Sequence, residues 1–320
     1  MRQVRLLIAI VALGLPVWAM AAQVLLTPKE LDTLSKANAV RIVDVREAEA
    51  YGLQHVPGAV SAPYARWRGP GENPGKLPSL GDLTSLVQEL GLTPETHTVI
   101  VYTGIDSTDF GSAARVYWTL KMLGLKELSI LNGGLSAWKS DGLPVSNKPA
   151  TAPRSSYRPR LDTSMIATES EVLSKIGDAR TNLIDSRPAP FFTGRVALDA
   201  ARARGTLPGA INIDSDLYFE PGSAALMDKA SLEQEADAPA LKPDGEVIAF
   251  CNTGHWSATE WFVRSEVLGQ SHVKLYPGSM VEWTQSAKPL PMMNEPGRWA
   301  QLRYKLMTWS HRNLGTKAPR

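Results

Sequence analysis

The chain has 320 residues, 43% hydrophobic and 21% charged, an ordinary globular composition at a length natural for two domains. Its net charge of +2 excludes a broad electrostatic footprint for nucleic acid. A single cysteine, Cys251, excludes an intramolecular disulfide framework.

The chain opens with Arg2 and Arg5, an apolar stretch at 6–18, and the small-x-small pattern Ala19-Met20-Ala21. This reads as a secretory signal peptide over residues 1–22, cleaved near Ala21 or Ala22. Its apolar core of about 13 residues is shorter than the ~20 that a membrane-spanning helix needs. The mature protein is therefore expected in the periplasm or secreted, without stable membrane insertion. In an oxidising compartment a lone thiol is at risk of oxidation or intermolecular pairing, so a purely structural role for Cys251 is hard to defend.

Along the first half, short apolar runs bounded by turn residues predict strands at 41–45, 99–102 and 128–131, with helices over 83–90 and 112–123. A stretch rich in Pro, Ser and basic residues follows and reads as an extended linker over 148–160. The second half predicts strands at 182–184, 247–250 and 274–276 and a helix over 257–268. Beyond Pro291 lies a basic tail, 291–320, where Trp299, Leu302, Leu306 and Trp309 recur at helical spacing and predict a terminal helix docked on the second half.

The halves are duplicates. Asp44 and Arg46 match Asp185 and Arg187, and Pro57-Gly58-Ala59 matches Pro208-Gly209-Ala210. The run 99–103 matches 247–251, and Trp138 matches Trp283. Three blocks recur in the same order, which chance does not produce. The fold class is α/β, with two similar domains at 23–147 and 161–290, each a mostly parallel sheet flanked by helices. Such sheets carry their sites beyond the carboxyl ends of the strands, where Cys251 and its counterpart Thr103 both sit.

Cys251 stands on a strand-to-helix turn, "FCNTGHWSAT". Gly254 permits a positive φ, and consecutive N–H groups from Asn252 to Ser257 can form an anion nest at a helix N-terminus. Both effects favour the thiolate, the reactive form of a cysteine, and would hold an anionic substrate beside it.

The Asp-x-Arg stretches, "HVPGA", the strand–Cys-loop–helix and the Gly…Trp block all recur in both halves. Across the whole mature chain they resemble the tandem-domain rhodanese family of thiosulfate and 3-mercaptopyruvate sulfurtransferases. The resemblance implies a C-terminal catalytic domain and an N-terminal non-catalytic one, in keeping with Thr103 in place of a cysteine. It implies that the Cys251 thiolate takes sulfur from a small anionic donor such as thiosulfate. The resulting persulfide passes it to a thiol or cyanide acceptor, a small molecule or a protein. No metal or organic cofactor is required, and a two-domain monomer is the default.

Among the remaining residues, His255 reads as a charge partner of the thiol, as a donor to the substrate anion, or as a solvent-facing side chain, and Trp256 as a pocket wall. Asp185 reads as structural support beneath the loop. The expected substrate-binding set is Asn252, Thr253, Gly254, His255, Trp256, Ser257, Arg187 and Arg195, with Arg204 a further possible source of the cation facing the sulfur. Asn252 and Thr253 match neither the Arg/Lys that often follows the cysteine in thiosulfate-specific relatives nor the small residues of mercaptopyruvate-specific ones. Two other functions compete: a sulfur carrier using the same persulfide, and a Cys-x5-Arg phosphatase or arsenate reductase. The latter lacks its arginine, because Ser257 stands at that position.

Overall fold

Two parallel sheets with the same strand order are built from the two halves of the chain. The computed structural model of the protein describes residues 22–237, 240–242 and 244–297, together with 299 and 306. The first half contains β1 (Leu25–Leu26), α1 (Pro28–Lys36), β2 (Arg41–Asp44), α2 (Ala48–Leu53), β3 (Val60–Ser61), α3 (Leu80–Glu89), β4 (Thr98–Val101), α4 (Ser107–Met122), β5 (Leu128–Leu131) and α5 (Gly134–Ser140). The second contains α6 (Glu169–Lys175), β6 (Thr181–Asp185), α7 (Ala189–Phe192), β7 (Ile211–Asn212), α8 (Lys229–Ala236), β8 (Glu246–Phe250), α9 (Trp256–Trp261), β9 (Val273–Leu275) and α10 (Ser279–Gln285). A π-helical segment, Phe262–Val267, continues α9.

The sheets run β1-β5-β4-β2-β3 and β7-β6-β8-β9, with every pairing parallel. β9, β8, β6 and β7 therefore repeat the order of β5, β4, β2 and β3. Even the edge strand β1 has a counterpart, a single parallel bridge from Ile166 to Leu275. The central strands β4 and β8 read as continuous apolar runs because helices cover both of their faces.

Helix α4 starts at Ser107 rather than at the expected 112, because the Asp106 side chain accepts the Asp109 N–H and caps the helix early. The segment between the domains has no regular structure, yet it is pinned to the first domain. Ser155 donates its N–H to Gln88 O, Tyr157 donates its hydroxyl to Leu123 O, and Asp162 donates its N–H to Met122 O. The expected signal peptide falls on residues 1–21, outside the described residues, apart from Ala22. Of the expected terminal helix, Trp299 and Leu306 are described; both are helical and exposed, so these two side chains do not dock on the second domain. The start of the tail does dock: Met293 and Thr206 exchange backbone hydrogen bonds of 2.8 Å.

One face of each sheet closes a core of its own. In the first half this holds Leu31, Ile42, Val99 and Trp138; in the second it holds Leu183, Ile248, Phe250 and Trp283. The other two faces merge into one core across the domain boundary, where α4 lies against α9. Phe110 stands at its centre, with its ring 5.5 Å from each of Tyr102, Phe219 and Phe262, edge-on in every case. An interface this apolar holds the domains in one fixed relation. Phe110→Ala is expected to lower the free energy of unfolding by about 3–5 kcal/mol, the usual effect of emptying a fully buried aromatic site, measured by denaturant titration.

Candidate active site

Strand β8 ends at Phe250 and places Cys251 at the carboxyl edge of the second sheet, 1% exposed. The chain then turns through Asn252–His255 into α9. Gly254 takes φ +69°, and a Cβ there would collide with the Arg115 guanidinium and with Pro277 O, so the turn needs glycine for both conformation and space. The His255 N–H donates to Cys251 Sγ at 3.2 Å.

The loop is held from behind by Ser279, which sequence reasoning missed. Its Oγ accepts the N–H groups of Cys251 and Gly254, each at 3.1 Å, and donates to Tyr276 O at 2.8 Å. Ser279 has φ +51°, uncommon for a side chain with a Cβ. The duplicate position in the first domain is Gly134, also at positive φ. A serine where the repeat carries glycine was the available signal. Two of the N–H groups near the sulfur thus face Ser279, so Gly254 contributes backbone shape and not an N–H to an anion nest.

Arg187 and Asp185 form a buried pair. Arg187 Nε and Nη2 donate to the two Asp185 oxygens at 2.8 and 2.6 Å, and Nη2 also donates to Gly205 O at 2.8 Å. Thr206 Oγ1 donates to Asp185 at 2.7 Å. The remaining Arg187 nitrogen, Nη1, reaches Asn252 Oδ1 at 3.3 Å. Arg187 and Asn252 therefore brace the loop from its own domain and are turned toward each other. Thr253 and Ser257 are buried, and the Ser257 hydroxyl has no hydrogen-bond partner among the described residues. Trp256 meets Phe191 edge-on at 5.8 Å, forming an aromatic wall, and Phe191 in turn lies beneath Arg187. Arg195 is exposed and its side chain makes no hydrogen bond to the loop among the described residues. Arg204 donates to Arg195 O at 2.9 Å.

The cation near the sulfur comes from the first domain. Arg115 on α4 is fully buried, lies over the Trp118 ring, and donates from Nη1 to Gly254 O at 3.0 Å and from Nη2 to Gly75 O at 2.7 Å. It lies close enough to interact electrostatically with Cys251, and burial pulls its own pKa down to about 10, leaving it charged at neutral pH. The sequence did carry a trace of it, one arginine inside the otherwise apolar stretch 113–120.

His255 does not take the solvent-facing reading. Its ring turns to the first domain, where partial burial favours the neutral form. Arg68 Nη1 donates to Tyr64 OH at 2.7 Å; Tyr64 OH pairs with His255 Nδ1 at 2.9 Å; His255 Nε2 pairs with Thr108 O at 2.7 Å. Arginine can only donate, so the Tyr64 oxygen accepts from it. A carbonyl can only accept, so Nε2 carries the ring proton. In the neutral ring this leaves Nδ1 to accept the Tyr64 proton. Burial, with Arg68 and Arg115 nearby, lowers its pKa to about 4.

The geometry is that of a cysteine loop braced from both domains, and comparison with known proteins identifies it. The rhodanese-like domain matches twice, over residues 27–141 and 168–286. The chain belongs to the rhodanese family. It is 34% identical over 259 residues to the thiosulfate sulfurtransferase of Pseudomonas aeruginosa, covering 80% of this chain and 92% of that one. It is 30% identical over 257 residues to the thiosulfate sulfurtransferase of Azotobacter vinelandii, covering 80% and 92%. This rhodanese is therefore a sulfurtransferase. Its fold matches a 3-mercaptopyruvate sulfotransferase from Escherichia coli with a TM-score of 0.72 at 23% identity, over 81% of this chain and 99% of that one.

The lowered pKa of His255 sets a pH dependence for this rhodanese. Between about 4 and the ordinary 6.5 the unfolded chain binds a proton at this residue that the folded chain excludes, so stability rises with pH across that window. The contribution is complete above 6.5 and is lost as pH falls toward 4. Thermal melts are expected to show a steeper loss over this window for the native protein than for His255→Gln.

Proposed function

We propose that the protein transfers sulfane sulfur from thiosulfate to a small thiophilic acceptor through a persulfide on Cys251. The observation that carries this reading is the placement of the single thiol at the end of β8, with the His255 N–H on its sulfur and Arg115 nearby. Support for the donor comes from the thiosulfate sulfurtransferases that this chain resembles. In the first step the Cys251 thiolate attacks the outer sulfur of thiosulfate. A new S–S bond forms to Cys251, the bond to the sulfonate sulfur breaks, and its electron pair leaves with sulfite. In the second step an acceptor such as cyanide or a thiolate attacks the terminal persulfide sulfur and regenerates the thiolate, giving thiocyanate or a new persulfide. The His255 N–H and the nearby Arg115 charge stabilise negative charge on sulfur in both steps. The 1% exposure of Cys251 favours small reactants over a protein acceptor.

Incubation with thiosulfate is expected to add the mass of one sulfur atom to the native protein and nothing to Cys251→Ser, read by intact-mass spectrometry. Subsequent cyanide should remove that sulfur as thiocyanate. A native protein that gains no sulfur overturns the reading.

The same proposal extends to export. Arg2, Arg5 and the apolar stretch 6–18 support cleavage of residues 1–22 and a periplasmic or secreted site of action. Mass analysis of the protein expressed in a Gram-negative host is expected to find the mature chain starting at Ala22 or Gln23 in the periplasmic fraction; an intact leader in the cytosol overturns it.

A further inference from the structure

The strand registers put Tyr102, and not the expected Thr103, in the place of Cys251, so the first domain has no thiol there, yet it places three groups around one side chain of the cysteine loop. Tyr64 holds His255 Nδ1, Thr108 O holds Nε2, and Arg68 orients the Tyr64 hydroxyl. Trp256 adds a weaker tie, with Nε1 3.4 Å from Thr108 Oγ1. Space for the ring is made by Gly111 on α4, where a Cβ would come within 2.8 Å of His255 Nε2 and 2.9 Å of Cδ2. The backbone N–H of this same His255 is the donor to Cys251 Sγ. Both ring nitrogens belong to the first domain's grip, so the ring has no role left as a proton carrier; what it transmits is position.

We propose that Tyr64 is a positioning residue for sulfur transfer: by gripping the His255 ring across the domain boundary, it aims the His255 backbone N–H at the sulfur that gains and loses charge during the reaction. This rests on the persulfide reading above. The first domain is then a working half of the catalytic apparatus, acting through the His255 imidazole as well as through the Arg115 charge. Loss of the Tyr64 hydroxyl leaves Nδ1 without its donor and frees the ring to turn, and the N–H drifts with it. A hydrogen bond that drifts off a developing charge loses most of its effect on rate while leaving the fold in place.

The test is the single-turnover rate of persulfide loading from thiosulfate, followed by sulfite release, in Tyr64→Phe, His255→Gln and the double variant. Tyr64→Phe is expected to slow loading roughly ten- to a hundredfold, no more than deleting a donor outright does, with an unchanged thermal midpoint. In the His255→Gln background the same substitution should change nothing further, because it acts only through the ring. Gly111→Ala, which presses on the ring from α4 and leaves the Tyr64 hydroxyl intact, should slow loading in the same range. Loading by Tyr64→Phe within twofold of the native rate, or an equal slowing in both backgrounds, overturns the proposal. A native protein that does not load sulfur at all overturns the persulfide reading, and this proposal with it.

Discussion

The packing of α4 against α9 is the constraint on which the remaining structure depends. α4 covers one face of the first sheet and α9 one face of the second, and the outer faces of these two helices are closed against each other. Phe110, Trp118, Trp261 and Phe262 are all inaccessible to water. Separating the halves would expose these rings together, a cost that grows with the apolar area. The helix that fills the interface from the first half also carries Arg115 and Gly111, and its first turn carries Thr108. Burial of an apolar helix face thus delivers polar groups to the cysteine loop at a fixed distance.

Duplication explains how one fold supplies both a scaffold and a site. A turn of equal length joins β4 to α4 and β8 to α9, but the second copy has Cys251 in place of Tyr102 and Ser279 in place of Gly134. The glycine adopts its left-handed conformation without steric cost, whereas the serine is held there by three hydrogen bonds of its hydroxyl. Backbone strain sits beside the reactive group and is balanced by contacts made only there. The paired Asp44–Arg46 and Asp185–Arg187 ion pairs diverge less, because in both copies they hold the strand end to the following turn.

Periodicity and repetition in the sequence were enough to read two α/β domains of like plan, and they singled out Cys251 as the candidate reactive group. Those features are local: a strand is a run of apolar residues, and a duplicated motif is visible wherever it recurs. The partners of Cys251 were not local. Arg187 and Arg195, nearest in the repeat, go to a structural ion pair and to the surface, while Arg115 and Tyr64 lie 136 and 187 residues away from the cysteine. Even the state of His255 escaped sequence reasoning, because its charge depends on who faces its two nitrogens. The chain alone determined the family and its sulfurtransferase class. Only the tertiary structure decided which cations and donors surround it, since those contacts exist only when the two halves bury their apolar faces against each other.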